Sequence, residues 1–249
     1  MLKHLPVFLF CAVHLTLAVT FSIALHLKHV TYFLPYISDS GAFPPESCIF
    51  GQMLNFVAAL ICVTMYVRYI QIREIFNKHD FSCGYYRLNK IAFCIGTTAC
   101  LGCSIVANFQ ETTMLLVHWI GAIMLFTLGA VYQCLQSIIY FKIRVVFGNR
   151  MLNMIRAILA AISTGSVVSF VIFGLIAGSQ FKGNDVTKWK EDDGGFNFHI
   201  ISTTSEWICA GCTMTYLLCF VWDFRRITLN EPEIFVHDDV AVPLKIYRK

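Results

Sequence analysis

Six long apolar stretches constrain the fold of this chain more than any other feature. They cover residues 5–27, 49–69, 91–109, 115–140, 157–176 and 200–222. A helix needs about 20 mostly apolar residues to cross roughly 30 Å of hydrocarbon, and a helix satisfies its own backbone hydrogen bonds in lipid. The sequence therefore predicts an all-α polytopic membrane protein. We expect one bundle of six transmembrane helices over residues 1–228 and a short cytosolic tail over residues 229–249.

The composition excludes an ordinary soluble domain. Hydrophobic residues make up 57% of the chain and charged residues 14%, whereas soluble domains are about half apolar and about a quarter charged. The first stretch follows Lys3, as in a signal peptide, but it is longer than a signal-peptide core and no A-x-A site follows it. We therefore interpret it as a span rather than a cleaved leader.

Lysine and arginine fall unevenly on the two sides of the predicted membrane. Fifteen lie on the side that carries both termini: Lys3, Arg68, Arg73, Lys78, Arg87, Lys90, Lys142, Arg144, Arg150, Arg156, Arg225, Arg226, Lys245, Arg248 and Lys249. Four lie on the other: Lys28, Lys182, Lys188 and Lys190. The positive-inside rule then places both termini in the cytosol. The net charge of +4 reflects this topology and anionic lipid rather than a nucleic-acid partner.

Cysteine spacing offers a metal hypothesis that its context opposes. The chain contains Cys100-x-x-Cys103 and Cys209-x-x-Cys212, a zinc-binding spacing on a soluble ribbon. Both pairs fall inside apolar stretches, close to glycines at 96, 102 and 211. We interpret these cysteines as small residues at close helix contacts and expect no metal and no cofactor.

The first outer loop has the chemistry of an ordered turn. Pro35, Pro44 and Pro45 stiffen it, and the segment from Asp39 to the glycine at 41 favours a turn. The Pro-Pro-Glu that follows suits a helix start with Glu46 at the positive end of the helix dipole. We predict a lid over the outer end of the bundle rather than a flexible connector.

Polar side chains concentrate beneath this lid. The candidate site residues are Asp39, Asn108, Glu111, His118, His199 and Glu206. His199 and Glu206 are seven residues apart and so share a helix face. Glu206 lies well inside the sixth stretch, where a carboxylate must face the bundle interior and have a partner.

Two interpretations of these residues remain open. In the first, Glu206 is protonated or pairs with His118 and only holds two helices together. In the second, the six residues form an outer-leaflet pocket that binds a lipid head group or senses protons. Polar residues elsewhere in the spans, Asn55, Gln133 and Gln136, are interpreted as interhelical hydrogen-bond partners. A cytosolic contact with anionic lipid is assigned to Arg73, Lys142, Arg144 and Arg150.

Several segments together resemble one family. They are LPYISDSG at 34–41, PPESCIFG at 44–51, IVANFQE at 105–111, and residues 66–69, 136–140 and 206–207. This series resembles the DRAM (damage-regulated autophagy modulator) family over residues 34–228. The first span, residues 77–86 and the tail beyond Asn230 show no pattern of that family.

The resemblance implies a six-span protein of lysosomal or endosomal membranes that promotes autophagy and, in some members, apoptosis. Its partners would be membrane lipids and autophagy or lysosomal proteins. The plasma membrane and the Golgi or endoplasmic reticulum remain alternative locations. Relatives in the wider superfamily act in GPI-anchor lipid remodelling or phospholipid organisation, so a lipid-remodelling function is the alternative.

Two functional classes follow from these observations. A non-enzymatic membrane regulator needs no fixed catalytic geometry. A lipid transferase or hydrolase needs a nucleophile or metal within hydrogen-bond reach of a base, and the sequence contains neither H-E-x-x-H nor G-x-S-x-G. We therefore expect a protein without enzymatic activity.

Overall fold

The computed structural model describes residues 2–228, so the predicted tail at 229–249 lies outside the described residues. Seven α-helices occupy the described part: α1 (Leu5–His26), α2 (Glu46–Lys78), α3 (Cys83–Asn108), α4 (Glu111–Phe147), α5 (Arg150–Gln180), α6 (Phe196–Leu218) and the short α7 (Phe220–Phe224). Six helical segments are long and apolar enough to cross a membrane, which confirms the six predicted spans. Helices α2 to α5 extend beyond the apolar stretches mainly toward the α2–α3 and α4–α5 connections.

The bundle has two unlike ends. The 3-10 turn Leu2–His4 contacts α7. The first and last described segments of the chain therefore lie together at one end of the bundle, which we call the terminal end. The opposite end, called the loop end, carries the two longer connections, between α1 and α2 and between α5 and α6. Each helix packs against the next one in sequence, whereas α1 and α6 meet sparsely.

Small residues set the closest helix contact. A Cβ on Gly102 of α3 would lie 2.6 Å from the Leu125 backbone nitrogen and 2.7 Å from the Gly121 carbonyl oxygen of α4. Glycine therefore permits this approach of two backbones, as expected for helices packed in lipid. Gly211 of α6 makes no such contact, because nothing lies within 4 Å of a Cβ built there.

The α1–α2 connection folds down onto the bundle. We call residues 35–42 the cap; they include the buried 3-10 helix Ser38–Gly41. Trp207 Nε1 donates to the Pro35 carbonyl over 2.9 Å, and Thr112 Oγ1 donates to the Ala42 carbonyl over 3.2 Å. The cap is thus fastened to α6 and α4, and the predicted ordered lid is confirmed.

Candidate functional site

Three carboxyl groups from three parts of the chain hold consecutive residues of the cap. The Tyr36 amide donates to Asp39 Oδ2 over 2.8 Å, and the Ile37 amide donates to Glu206 Oε2 over 2.8 Å. The Ser38 hydroxyl donates to Glu111 Oε2 over 3.3 Å. Two backbone amides and one hydroxyl of the cap are therefore hydrogen-bonded to acids from the cap itself, α6 and α4.

A break in α4 positions Glu111. The backbone of Met114 departs from helical angles, with φ −134° and ψ 56°, so the first turn of α4 bends relative to the rest. Glu111 belongs to this turn, directly after the short connection at Phe109 and Gln110. The bend brings its carboxyl against the cap instead of along the continuing helix.

Asp39 and Glu111 form an acid pair. The buried oxygens Asp39 Oδ1 and Glu111 Oε1 have no hydrogen-bond partner. Asp39 is only 1% exposed. Burial first, and then the nearby charge of Glu111, raise the pKa of Asp39 well above its ordinary value. Asp39 therefore holds a proton more readily in the closed cap than in water.

Glu206 is buried as predicted, but its partner differs from the expected one. It lies ten residues after the start of α6, about 15 Å along the helix. Its hydrogen-bond partner is the Ile37 amide, because the cap descends to that depth. The predicted pairing with His118 is wrong: the His118 ring bonds to the Phe109 carbonyl over 2.6 Å.

Two cavities adjoin these carboxyls. An upper cavity of about 40 Å³ is lined by Tyr36, Ser38, Glu111, His118, Trp119, Ala122, Phe170 and Glu206. A core cavity of about 90 Å³ shares Ser38, His118, Ala122 and Glu206 with it, and its remaining lining is almost entirely apolar. His118 and Glu206 thus lie together at a boundary between polar and apolar space without a direct hydrogen bond.

His199 joins the site indirectly. Its ring stacks on Trp189 at 4.3 Å between centroids and meets the Tyr36 ring edge-on at 5.1 Å. Burial raises the pKa of the Tyr36 phenol, which keeps it a donor, and its hydroxyl donates to Ser202 Oγ over 2.9 Å. His199 therefore supports the cap through Tyr36 and lines neither cavity.

Asn108 is not part of this pocket, contrary to the sequence-based prediction. Its side chain exchanges hydrogen bonds with Asn55 of α2 and donates to the Ser104 carbonyl. The side chain is exposed on a different face of α3, because the chain turns inward only after residue 109. Asn55 is an interhelical partner as predicted, and so are Gln133 and Gln136.

A buried arginine cluster near the terminal end escaped sequence analysis. Arg68 of α2 and Arg156 of α5 are fully buried and both pair with Asp223 of α7, at 3.2 and 2.6 Å. Tyr140 donates to Asp223 Oδ1 over 2.9 Å, and its ring contacts both guanidinium groups. The charge count assigned both arginines to the side of the termini, and they lie near that end, but it did not predict their burial. The acid directly after the last apolar stretch was the one signal that pointed to buried cations.

The residues predicted to contact anionic lipid are all exposed. They are Arg73, Lys142, Arg144 and Arg150. Arg73 pairs with Glu74 over 3.3 Å, and Arg144 lies over the Phe141 ring at 3.9 Å. These four occupy the terminal end, on α2, α4 and α5, so they form no single pocket with the cap. Among residues 2–228, no group of three or more metal-ligating side chains is placed to hold a metal ion.

Comparison with known proteins gives a consistent result. Residues 1–227 match the family model described as Frag1/DRAM/Sfk1/Cwh43P N-terminal domain. DNA damage-regulated autophagy modulator protein 2 of Mus musculus is 33% identical over 250 residues, covering 98% of this chain and 92% of that protein. DNA damage-regulated autophagy modulator protein 1 of Homo sapiens is 35% identical over 216 residues, covering 85% and 86% of the two chains. No solved structure matches the chain.

The family match and these relatives extend across nearly all of the six-helix bundle, including the cap, Glu111 and Glu206. This chain is therefore a member of the Frag1/DRAM/Sfk1/Cwh43P family.

Proposed function

We propose that this protein modulates autophagy from a lysosomal or endosomal membrane, and that the cap with its three carboxyls responds there to protons. The relatives named as autophagy modulators support the first part. The second part is supported by one observation: the carboxyls of Asp39, Glu206 and Glu111 accept hydrogen bonds from three consecutive cap residues. The donors are Tyr36, Ile37 and Ser38, in that order.

The direction of the pH response follows from Asp39. A carboxyl whose pKa is raised in the closed cap binds its proton more tightly there than when the cap is open. The stabilisation of the closed cap is therefore complete below the ordinary pKa of 3.8 and is lost as pH rises through the raised value. Lower pH therefore favours the closed cap, and higher pH loosens it.

The groups that face Asp39 agree with this direction. Glu111 from α4 and Glu206 from α6 are both acidic, and both raise its pKa through their charges. The His118 ring bonds to a carbonyl, and neither it nor another cation forms an ion pair with these acids within the described part of the chain. When Asp39 loses its proton, its charge is repelled by these acids without a compensating partner.

With both termini in the cytosol, as we propose, the cap lies in the lumen. Positive charge at the terminal end supports cytosolic termini, and removing the buried Arg68 and Arg156 from the count leaves that bias in place. The exposed Lys142, Arg144 and Arg150 then face anionic lipid of the cytosolic leaflet, where autophagy or lysosomal proteins are also within reach.

The same geometry favours a regulator over an enzyme. The three carboxyls accept from the backbone and one hydroxyl of the cap, so they act as supports of a movable segment. Ser38, the hydroxyl nearest to them, donates to Glu111 and has no basic partner among the described residues. A non-enzymatic action through cap position is the function that this arrangement supports best.

Restoration of autophagic flux tests the cellular proposal. Cells that lack the protein would receive wild type, Asp39→Asn, Glu206→Gln or the control Glu191→Gln, all at equal abundance. Glu191 is an exposed acid at the loop end. We expect wild type and Glu191→Gln to localise to lysosomes and restore flux, whereas the two amide variants localise there without restoring it. Full restoration by both amide variants would contradict a role for the carboxyls.

Hydrogen exchange of the purified protein tests the proton response directly. Exchange of the Tyr36 and Ile37 amides is compared at about pH 5 and about pH 7, after correction for intrinsic rates. Wild type is expected to exchange faster at the higher pH. Asp39→Asn can keep the bond to the Tyr36 amide without a charge, so its exchange should be independent of pH. A wild-type cap with no pH dependence would refute the response.

A further inference from the structure

We propose that the core cavity is a binding site for a single-chain lipid with an uncharged, hydroxyl-bearing head, and that the chain enters from the membrane between α1 and α6. This extends the proposed function by naming a ligand beneath the same cap.

The core cavity is lined along the length of one helix face. Phe50, Leu54, Val57 and Ile61 line it along one face of α2. This face spans eleven residues, or about 16 Å of helix. An apolar lining that follows a helix over this length suits an extended hydrocarbon chain. Apolar cavities of this kind stay dry and accept apolar ligands.

A lateral groove leads into this cavity. It measures about 290 Å³ and lies between α1 and α6. Four of its residues, Val13, Leu17, Ala210 and Met214, also line the core cavity. The two spaces are therefore separated by no more than these side chains.

Helices α1 and α6 contact each other sparsely. At the loop end, Trp207 of α6 donates to the Pro35 carbonyl of the cap. At the terminal end, the turn before α1 contacts α7. Between them, no side-chain hydrogen bond joins α1 to α6 in the described residues, and Gly211 faces open space. A window of this kind faces the hydrocarbon, from which a lipid chain would come.

The cavity's polar end determines the head group. Ser38, His118 and Glu206 are its polar residues at the cap. Glu206 is 4% exposed, and within residues 2–228 its Oε1 receives no hydrogen bond. Because Glu206 lines the cavity, this oxygen is open to a donor on a bound head group. No lysine or arginine lines the cavity or the groove in the described chain, so a phosphate there would lie beside the Glu206 carboxyl without a lysine or arginine to neutralise it. An uncharged head with a hydroxyl group supplies a donor for Glu206 Oε1 and carries no negative charge.

Photo-crosslinking tests the site with a monoacylglycerol that carries a photoreactive oleoyl-type chain. With the purified full-length protein in nanodiscs, labelling should fall on residues 13–17 of α1 and 207–214 of α6. Excess monoolein should suppress labelling, whereas the lysophosphatidic acid of the same chain should not. Equal competition by the phosphate lipid would overturn the assignment of the head group.

Two variants test the window. Ala210→Trp fills the wall between groove and cavity, and Gly211→Leu fills the open position beside it, where no atom of the protein obstructs the new side chain. We expect labelling to fall about tenfold in each, since an overfilled apolar site no longer accepts a chain. The matched control Ala161→Trp lies on an exposed face of α5 and should leave labelling unchanged.

The remaining outcomes separate this proposal from the preceding one. Labelling that is unaffected by Gly211→Leu, or that is equally strong on the exposed face of α5, would mean labelling by bulk lipid and would refute the site. Loss of labelling in Gly211→Leu with an unchanged pH response of the cap would support the lipid site independently of the proton response. If Ala210→Trp fails to fold, Gly211→Leu alone decides the result.

Discussion

Replacing Asp223 by asparagine removes the acid of the buried arginine cluster while preserving its size. Within the described chain, Asp223 is the only carboxylate that pairs with Arg68 or Arg156. Both arginines are 0% exposed and Asp223 is 2% exposed. The change leaves two guanidinium groups buried with no negative charge between them.

The expected cost follows from this imbalance. Breaking a buried ion pair by removing one partner costs about 3–5 kcal/mol. The cluster already contains donors without acceptors, Arg68 Nη2 and Arg156 Nε and Nη1, so no spare acceptor takes over. For a protein of this size each kcal/mol shifts the unfolding midpoint by about 2–4 °C, which gives a decrease of about 6–20 °C.

Thiol reactivity provides the assay. Cys100, Cys103 and Cys209 are buried and become reactive only when helices separate. Once the exposed thiols of Cys11, Cys48, Cys83 and Cys94 have been blocked, a thiol-reactive dye therefore reports unfolding of the detergent-solubilised protein during heating. The control is Glu74→Gln, which breaks an exposed pair with Arg73 and should cost no more than about 1 kcal/mol.

A charge-balanced variant makes the explanation refutable. Arg68→Met leaves one buried cation and one buried anion, so it should destabilise the protein less than Asp223→Asn does. Combining the two changes should recover part of the loss. The charge account is wrong if Asp223→Asn shifts the midpoint no more than Glu74→Gln, or if Arg68→Met is the more damaging of the two buried changes.

Three further predictions concern packing and the loop end. Gly102→Ala should lower the unfolding midpoint by the equivalent of about 1–3 kcal/mol because its Cβ meets backbone atoms of α4, whereas Gly165→Ala, which meets nothing within 4 Å, should not lower it. Trp207→Phe keeps the ring but loses the bond to the Pro35 carbonyl, so cap amides should exchange faster by the equivalent of about 1 kcal/mol. Partial burial alone would raise the pKa of Asp185, but hydrogen bonds from the hydroxyl and the backbone amide of Thr187 outweigh it and lower the pKa. The stabilisation from these bonds is present above the ordinary pKa of 3.8 and is lost as pH falls through the lowered pKa. Exchange in that turn should therefore be unchanged between about pH 7 and about pH 5 and rise only in stronger acid.

The sequence by itself determined the membrane class, the six spans and the ordered cap. These properties depend on residues close together in the chain: apolar runs of sufficient length, and the prolines and turn residues before Glu46. It also determined that Glu206 faces inward, because a carboxylate among apolar neighbours has few other stable positions.

The tertiary structure alone decided which polar groups meet. Asp39 and Glu111 are 72 positions apart and pair only because α4 bends at Met114 and the cap folds downward. Asn108, close to Glu111 in sequence, instead faces Asn55.

The sequence did not determine which polar groups meet because the spans have uniform hydropathy. A helix that is apolar on every side carries no stripe to indicate its rotation or its neighbours. The burial of Arg68 and Arg156 and the open window between α1 and α6 depend on those rotations, and local composition does not encode them.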